Sequence, residues 1–212
     1  FGGAGDAYMD GGTINKNNNG NLQIGVGSMN SGTVGAVATF TQEGGTINCA
    51  SQYHLATDAA VTYATNNING ASAVLNVGDW LAVGRNGGHG FLNLTNGLIN
   101  CYASGDHHFT IGSGGTGIFN QYGGVVSNVN NVFFMGESGS ATWNMNGGSA
   151  YLGELRFNNS SSAGSHLYLN SGGTIQLTGI TVGTNNNPSI INFNGGTLQA
   201  SANNANFMSG LQ

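Results

Sequence analysis

The chain has 212 residues, of which 39 are glycine and only 5% are charged. Its three Lys and Arg residues and its net charge of -5 give no basic surface for a nucleic acid or an anionic membrane. No run approaches about 18 consecutive apolar residues, so the sequence predicts no membrane insertion. The 39% hydrophobic content separates the chain from disordered proteins, which combine low hydrophobicity with high net charge.

A glycine-rich step, usually Gly-Gly, recurs along the whole chain at intervals of 23 to 33 residues. A repeat period of this size is typical of stacked structural repeats. A second marker, apolar-x-apolar-Gly, runs in phase with it, as in LQIG at 22–25 and FTIG at 109–112. Two independent markers therefore indicate the same repeat. The eight steps begin at Gly11, Gly44, Asn69, Asn96, Gly123, Gly147, Gly172 and Gly195.

Within each repeat, apolar and polar residues alternate, which is the pattern of half-buried strands. In the sixth repeat Ala141, Trp143 and Met145 share one face. A helical repeat would be destabilised by this much interior glycine. We therefore predict an all-β fold, a right-handed parallel β-helix of about eight three-stranded coils that forms a single domain over residues 1–212, uncapped at both ends. The position four residues before each step predicts a core stack of Phe40, Leu92, Phe119, Trp143, Tyr168 and Ile191.

Candidate catalytic and metal-binding residues are sparse. Parallel β-helix enzymes that cleave acidic polysaccharides need clustered carboxylates, either to bind Ca²⁺ or to act as an acid and base pair. The eight acidic residues form no such column. Asp106, His107 and His108 are the densest polar cluster but lack further ligands at metal-site spacing, and His54 is interpreted as an inward core histidine. We expect no catalytic site, no metal site, no cofactor and no enzymatic activity.

Cys49 and Cys101 occupy equivalent positions two repeats apart. Coils spaced at roughly 4.8 Å would hold them about 10 Å apart, beyond the ~7 Å limit between the Cα atoms of a disulfide. We predict two free thiols in the apolar core.

The repeat motif resembles the autotransporter-associated β-strand repeats of large bacterial surface and secreted proteins. Ile14, Ile47, Ile175 and Leu198, in the Gly-Gly-Thr-Ile/Leu steps, carry this resemblance. Such repeats serve as stalks, adhesin shafts and surface scaffolds. The resemblance implies an extracellular or cell-surface repeat scaffold.

The two ends of the sequence are in phase with each other, because reading the C-terminus into the N-terminus continues the repeat. Solenoids normally need polar capping repeats, and neither end contains a recognisable one. A head-to-tail contact that does not close into a ring produces a filament. Alternatively, the 212 residues are a window from a longer β-helix. The predicted assembly interface comprises Phe1, Ala7, Tyr8, Met9, Phe207, Met208 and Leu211.

These observations favour a structural extracellular protein, the subunit of a head-to-tail filament or stalk on the cell surface or in a matrix. Its main partner would be a second copy of itself, joined by β-strand addition. One alternative is a β-helix module that binds or cleaves a polysaccharide along one face. Another is the shaft of a secreted adhesin or of a phage fibre.

Overall fold

The computed structural model describes residues 3–17, 20–27, 35–102, 108–160, 163–184, 187–208 and 211. These residues form β-strands and no helix. The strands are β1 (Ala4–Lys16), β2 (Leu22–Val26), β3 (Val37–Cys49), β4 (Tyr53–Thr57), β5 (Tyr63–Ile68), β6 (Val74–Val77), β7 (Leu81–Arg85), β8 (His89–Leu94), β9 (Leu98–Cys101), β10 (Phe109–Ser113), β11 (Thr116–Gln121), β12 (Val125–Met135), β13 (Ser140–Met145), β14 (Gly148–Phe157), β15 (Gly164–Asn170), β16 (Gly173–Leu177), β17 (Gly179–Val182), β18 (Ser189–Asn194) and β19 (Thr197–Ala200).

Equivalent strands of successive repeats pair in parallel and build three faces of a solenoid. Face A contains the first halves of β1 and β3, followed by β5, β8, β11, β13, β15 and β18. Face B contains the second halves of β1 and β3, then β6, β9, the first halves of β12 and β14, β16 and β19. Face C contains β2, β4, β7, β10, the second halves of β12 and β14, and β17.

We number the coils 1 to 8 along the chain, each beginning with its face A strand. Coils 2 to 7 lie between two neighbours, so the described residues form about six enclosed turns with a terminal coil at each end. The predicted all-β parallel solenoid is confirmed. The predicted count of about eight coils is slightly high as a count of enclosed turns, because the two terminal coils are paired on one side only.

The inward side chains of face A form a continuous column through the middle of the solenoid. Phe119 stacks on Trp143 with ring centroids 5.5 Å apart and planes 19° apart, and both side chains are fully buried. The strand pairing defines the column as Ala7, Phe40, Asn66, Leu92, Phe119, Trp143, Leu167 and Ile191.

The prediction that Tyr168 belongs to this core stack is wrong, because Tyr168 pairs with the outward Asn144 and is only half-buried. Its neighbour Leu167 takes the inward position. In this coil the residue with a left-handed backbone is Gly172, with φ at 92°, whereas in the Gly147-Gly148 step it is the second glycine, Gly148, at 78°. On face B, Gly173 pairs with Gly148 and Thr174 with Thr197, so coil 7 has one extra residue between its face A and face B strands, and counting back from Gly172 misplaces the face A strand by one residue. A shift of one residue moves every side chain of a strand to the opposite face.

Glycine at the end of the apolar-x-apolar-Gly motif forms the corner after face C. Gly84 and Gly112 have φ of 72° and 74°, in the left-handed region that favours glycine. A Cβ atom on Gly84 would clash with the carbonyl of Thr116, where the chain enters the face A strand of coil 5. The same motif therefore satisfies the turn and the close coil-to-coil spacing.

Both cysteines are free and buried, as predicted. They lie in one inward column of face B with Val77 between them. Burial raises the pKa of the Cys101 thiol to about 12. In the described part of the chain, no helix is long and apolar enough to cross a membrane.

Candidate functional site

The first coil exposes the inward side chains that other coils bury. Ile14, in a Gly-Gly-Thr-Ile step, is 41% exposed, and Leu22 and Ile24 are only partly buried. Of the predicted interface residues, Ala7 is exposed, Tyr8 is 65% exposed on the outward side and Met9 is buried. Phe1 lies outside the described residues.

The last coil likewise exposes apolar side chains at the opposite end of the solenoid. Phe193 is 54% exposed and Met208 is 47% exposed, while Ile191 and Leu198 are partly buried against the core. The carbonyl of Phe207 accepts a hydrogen bond of 2.9 Å from the backbone N–H of Ile180, which continues the ladder of face C.

The predicted interface residues are therefore divided between two end faces. Ala7, Tyr8 and Met9 belong to coil 1, whereas Phe207, Met208 and Leu211 follow coil 8. Sequence reasoning missed other apolar residues at these faces, although they stand at the inward positions of the repeat that predicted the core. The missed residues are Ile14, Leu22 and Ile24 at the first end and Ile191, Phe193 and Leu198 at the last.

An apolar cavity of about 70 Å³ opens beside Phe40 at the first end. Its lining has no hydrogen-bonding requirement, since the Tyr53 hydroxyl already accepts a 2.8 Å hydrogen bond from Asn66 Nδ2. On face A, Phe40 pairs with the small Ala7 of coil 1, at a position where most later coils carry a bulky side chain. The lining residues are Ile14, Leu22, Ile24, Phe40, Ile47 and Tyr53.

The two end faces differ in charge. Coil 1 contains Asp6, Asp10 and Lys16, which leave it net negative, and coil 2 adds Glu43, whereas residues 187–208 contain no Asp, Glu, Lys or Arg. The pKa of Tyr8 is raised, mainly by loss of hydration against the sheet and further by the negative charges of Asp10 and Glu43. The first end is thus acidic and the last end neutral.

Columns of asparagine side chains run along the outer surface of faces A and B. On face A, Asn93 Nδ2 donates to Asn67 Oδ1 at 2.8 Å, and Asn120 Nδ2 donates to Asn93 Oδ1 at 2.9 Å. The donor belongs to the later coil in every link of these columns. The links are Asn67 to Thr41, Asn93 to Asn67, Asn120 to Asn93, Asn144 to Asn120, Asn48 to Asn15, Asn76 to Asn48, Asn100 to Asn76, Asn170 to Asn146 and Asn194 to Asn170.

The outward side of face C carries a second packed layer. The outward residues His54, Ala82 and Thr110 are fully buried. Trp80 covers this strip, donating from Nε1 to Thr110 Oγ1 at 2.9 Å, and the guanidinium of Arg85 lies 4.7 Å from the Trp80 ring centroid. Face C is thus enclosed from both sides in coils 2 to 4.

His54 belongs to this outer layer, so its predicted inward position is wrong. It pairs with Gln23 and Ala82 along the outward column. Burial, followed by the positive charge of Arg85, lowers the pKa of His54 to about 4. Its Nδ1 lies 3.4 Å from Arg85 Nη1, and because a guanidinium can only donate, this nitrogen is the acceptor. The histidine is therefore a neutral packing group at neutral pH.

The other polar clusters are arranged for packing. Of the Asp106, His107 and His108 cluster, only His108 is described, and its ring makes an edge contact with the Phe134 ring, with the two ring centroids 4.7 Å apart.

Glu154 lines an open groove of about 270 Å³ at the corner between faces B and C. Desolvation raises its pKa, but hydrogen bonds from Arg156 and Thr181 and the charge of Arg156 produce a net lowering. Among the described residues, no three His, Cys, Asp or Glu side chains are grouped to hold a metal ion.

Together, the three parallel faces and the two apolar end faces define a β-solenoid repeat protein. No protein-family model matches the chain, and comparisons with curated proteins and with solved structures find no match either.

Proposed function

We propose that this protein is a structural, extracellular β-solenoid, the subunit of a head-to-tail filament or stalk on the cell surface or in a matrix. The observation that carries the proposal is that coil 1 and coil 8 expose apolar side chains at equivalent positions of one repeat. A coil 8 placed before a coil 1 would supply the neighbour that coil 1 lacks.

The repeat register defines this contact residue by residue. Continuing the columns of faces A and B would place Ile191 against Ala7, Phe193 against Met9 and Leu198 against Ile14. The edges of the terminal strands also offer backbone N–H and C=O groups that a further parallel strand would pair. Hydrophobic burial and backbone hydrogen bonds would then act across the same contact.

Charge and strand direction favour a head-to-tail arrangement. Two first ends facing each other would bring together two coils that are each net negative, with Asp6 and Asp10 against a single Lys16, and like charges at close range repel. Contact between a first and a last end places these residues against an uncharged coil. It also continues the parallel hydrogen-bond ladder from one copy into the next. Because such a contact does not close into a ring, it grows into a filament. Eight coils at roughly 4.8 Å would add about 38 Å per subunit.

The side walls suit a shaft exposed to solvent. Their amide columns are uncharged and satisfy one another from coil to coil. The resemblance of the Gly-Gly-Thr-Ile/Leu steps to autotransporter-associated repeats supports a cell-surface or secreted location. We propose no cofactor and no catalytic role.

The test uses charged substitutions at each end face. Ala7→Asp should disable the first end and Ile191→Asp the last end, so each purified variant should stay monomeric at concentrations where the unsubstituted chain forms filaments in negative-stain micrographs. An equimolar mixture retains one intact pair of faces, because Ile191 of one variant meets Ala7 of the other. Mass photometry should therefore find dimers and no longer species.

Matched controls place the same changes on the side wall. Ala71→Asp and Val129→Asp alter exposed residues of middle coils and should leave filament formation unchanged. If the unsubstituted chain remains monomeric at every accessible concentration, the filament proposal is wrong. If the two end variants assemble like the side-wall controls, growth does not use these end faces.

A further inference from the structure

The cavity beside Phe40 is a gap in an otherwise filled column. The middle inward position of face A holds Phe40, Leu92, Phe119 or Trp143 in coils 2, 4, 5 and 6, but only Ala7 in coil 1. The space of about 70 Å³ is well above the ~10–15 Å³ that a single water molecule needs. Its apolar walls offer a water molecule no hydrogen-bond partner, so they favour an apolar group over water.

The shape of the gap selects an apolar side chain that enters from the first end. Ile14, 41% exposed, lines the gap, as do the partly buried Leu22 and Ile24 of the same coil. Phe40, Ile47 and Tyr53 of coil 2 line its inner side. A polar group placed here would lose its hydration without gaining a hydrogen bond.

We infer that this cavity is a socket for Ile191 of a second copy of the chain, and that this pair of residues determines which end faces can join. The inference rests on the proposed head-to-tail contact. Ile191 stands in the column that ends at Ala7, so continuation of the register brings its side chain to the mouth of the socket. Its β-branched side chain has few rotamers and is partly packed, so little conformational entropy is lost on insertion.

Two neighbouring apolar residues are less suited to the socket. Phe193 lies in the column of Met9, which is already buried. Met208 follows face C beside the last ladder bond, so its column leads to Leu22 at the wall of the socket. The small residue at position 7 and the larger one at position 191 are therefore the complementary pair.

A double-substitution cycle tests this pairing directly. Ala7→Ile fills the socket from its own coil and should crowd the incoming Ile191, whereas Ile191→Ala leaves the socket empty. Each single substitution should raise the critical concentration for assembly, measured by sedimentation, about tenfold. The double variant transfers the larger side chain to the other partner, so its critical concentration should return to within about threefold of the unsubstituted chain.

Controls separate the socket from general effects of added or removed hydrophobic surface. Ala71→Ile adds the same side chain at an exposed corner, and Ile118→Ala removes one from the outer side of coil 5. Both should leave the critical concentration within about twofold. Circular dichroism melts of all variants verify folding, and Ala7→Val with Ile191→Val supplies a milder cycle if a larger change unfolds the chain.

The outcomes distinguish this inference from the filament proposal. If the unsubstituted chain assembles but the double variant shows the product of the two single effects, residues 7 and 191 do not meet, and the socket inference alone is wrong. If Ala7→Ile weakens assembly while Ile191→Ala does not, another side chain fills the socket, which also overturns the inference. If the unsubstituted chain does not assemble, the filament proposal falls and this inference falls with it.

Discussion

Coil 1 and coil 2 carry the same Gly-Gly-Thr-Ile step but bury it to very different extents. Ile14 and Ile47 are paired in one column, yet Ile14 is 41% exposed and Ile47 only 1%. Their sequence context and strand geometry are alike, so the difference comes from the neighbours, because coil 2 lies between two coils and coil 1 has one. In a solenoid the repeat determines which side chains face inward, and the adjacent coils determine how much stability they contribute.

The largest expected effect concerns the enclosed coils. Trp143→Ala should lower the free energy of unfolding by about 3–5 kcal/mol, because it leaves a large cavity beside Phe119 and Phe133. Urea denaturation of the monomer measures the change. Tyr8→Ala, which removes an exposed aromatic ring from coil 1, should change stability by less than about 0.5 kcal/mol. A loss below about 1 kcal/mol for Trp143→Ala would contradict the inward register of face A.

The paired isoleucines provide the most direct test of the comparison. At concentrations too low for assembly, Ile47→Ala should destabilise the chain by about 2–5 kcal/mol and Ile14→Ala by less than about 1 kcal/mol. Chemical denaturation at low protein concentration measures both. Under assembly conditions Ile14→Ala should become the more damaging of the two for filament formation, since a second copy would then bury Ile14. Equal losses for the two monomeric variants would show that coil 1 is already covered.

A smaller effect is expected from His54 in the outer layer of coil 2. Its pKa of about 4 in the folded chain lies below the ordinary value of 6.5, so the unfolded chain binds the proton more readily. Stability is therefore fully present above pH 6.5 and is lost as the pH falls from 6.5 to about 4, with no further loss from this group below that range. The expected loss is on the order of 1–2 kcal/mol.

Substitutions identify the group responsible for this pH dependence. His54→Gln should flatten the dependence between pH 6.5 and 4, measured by urea denaturation at several pH values. His166→Gln changes a half-buried histidine on the outward side of face A and should leave the profile as it is. If the two variants show the same pH dependence of stability, the buried position of His54 is not the cause of that dependence.

The architecture could be predicted from the sequence because two markers repeat in phase, and strand alternation then assigns most inward residues. The register failed at Tyr168, where aligning the repeats on Gly172-Gly173 moved the strand by one residue. It failed for His54 because the apolar-x-apolar-Gly marker was aligned on His54 instead of Tyr53. Tyr53 and Leu55 take the inward positions of Leu22 and Ile24, and Ala56, with φ at 56°, replaces the glycine that ends the marker in other coils. The exposed apolar residues Ile14 and Phe193 could have been predicted, since they occupy inward positions of terminal coils.

The asparagine columns give the solenoid a chemical direction. In each link the later coil donates, so a column such as Asn48, Asn76 and Asn100 presents amide N–H groups toward one end and carbonyl oxygens toward the other. Aligned amides polarise one another along such a chain. A shaft assembled from these coils would therefore present different hydrogen-bonding groups at its two ends, and a capping protein that fits one end would not fit the other. Such a cap would stop growth at the end that it fits and leave the opposite end open to further subunits.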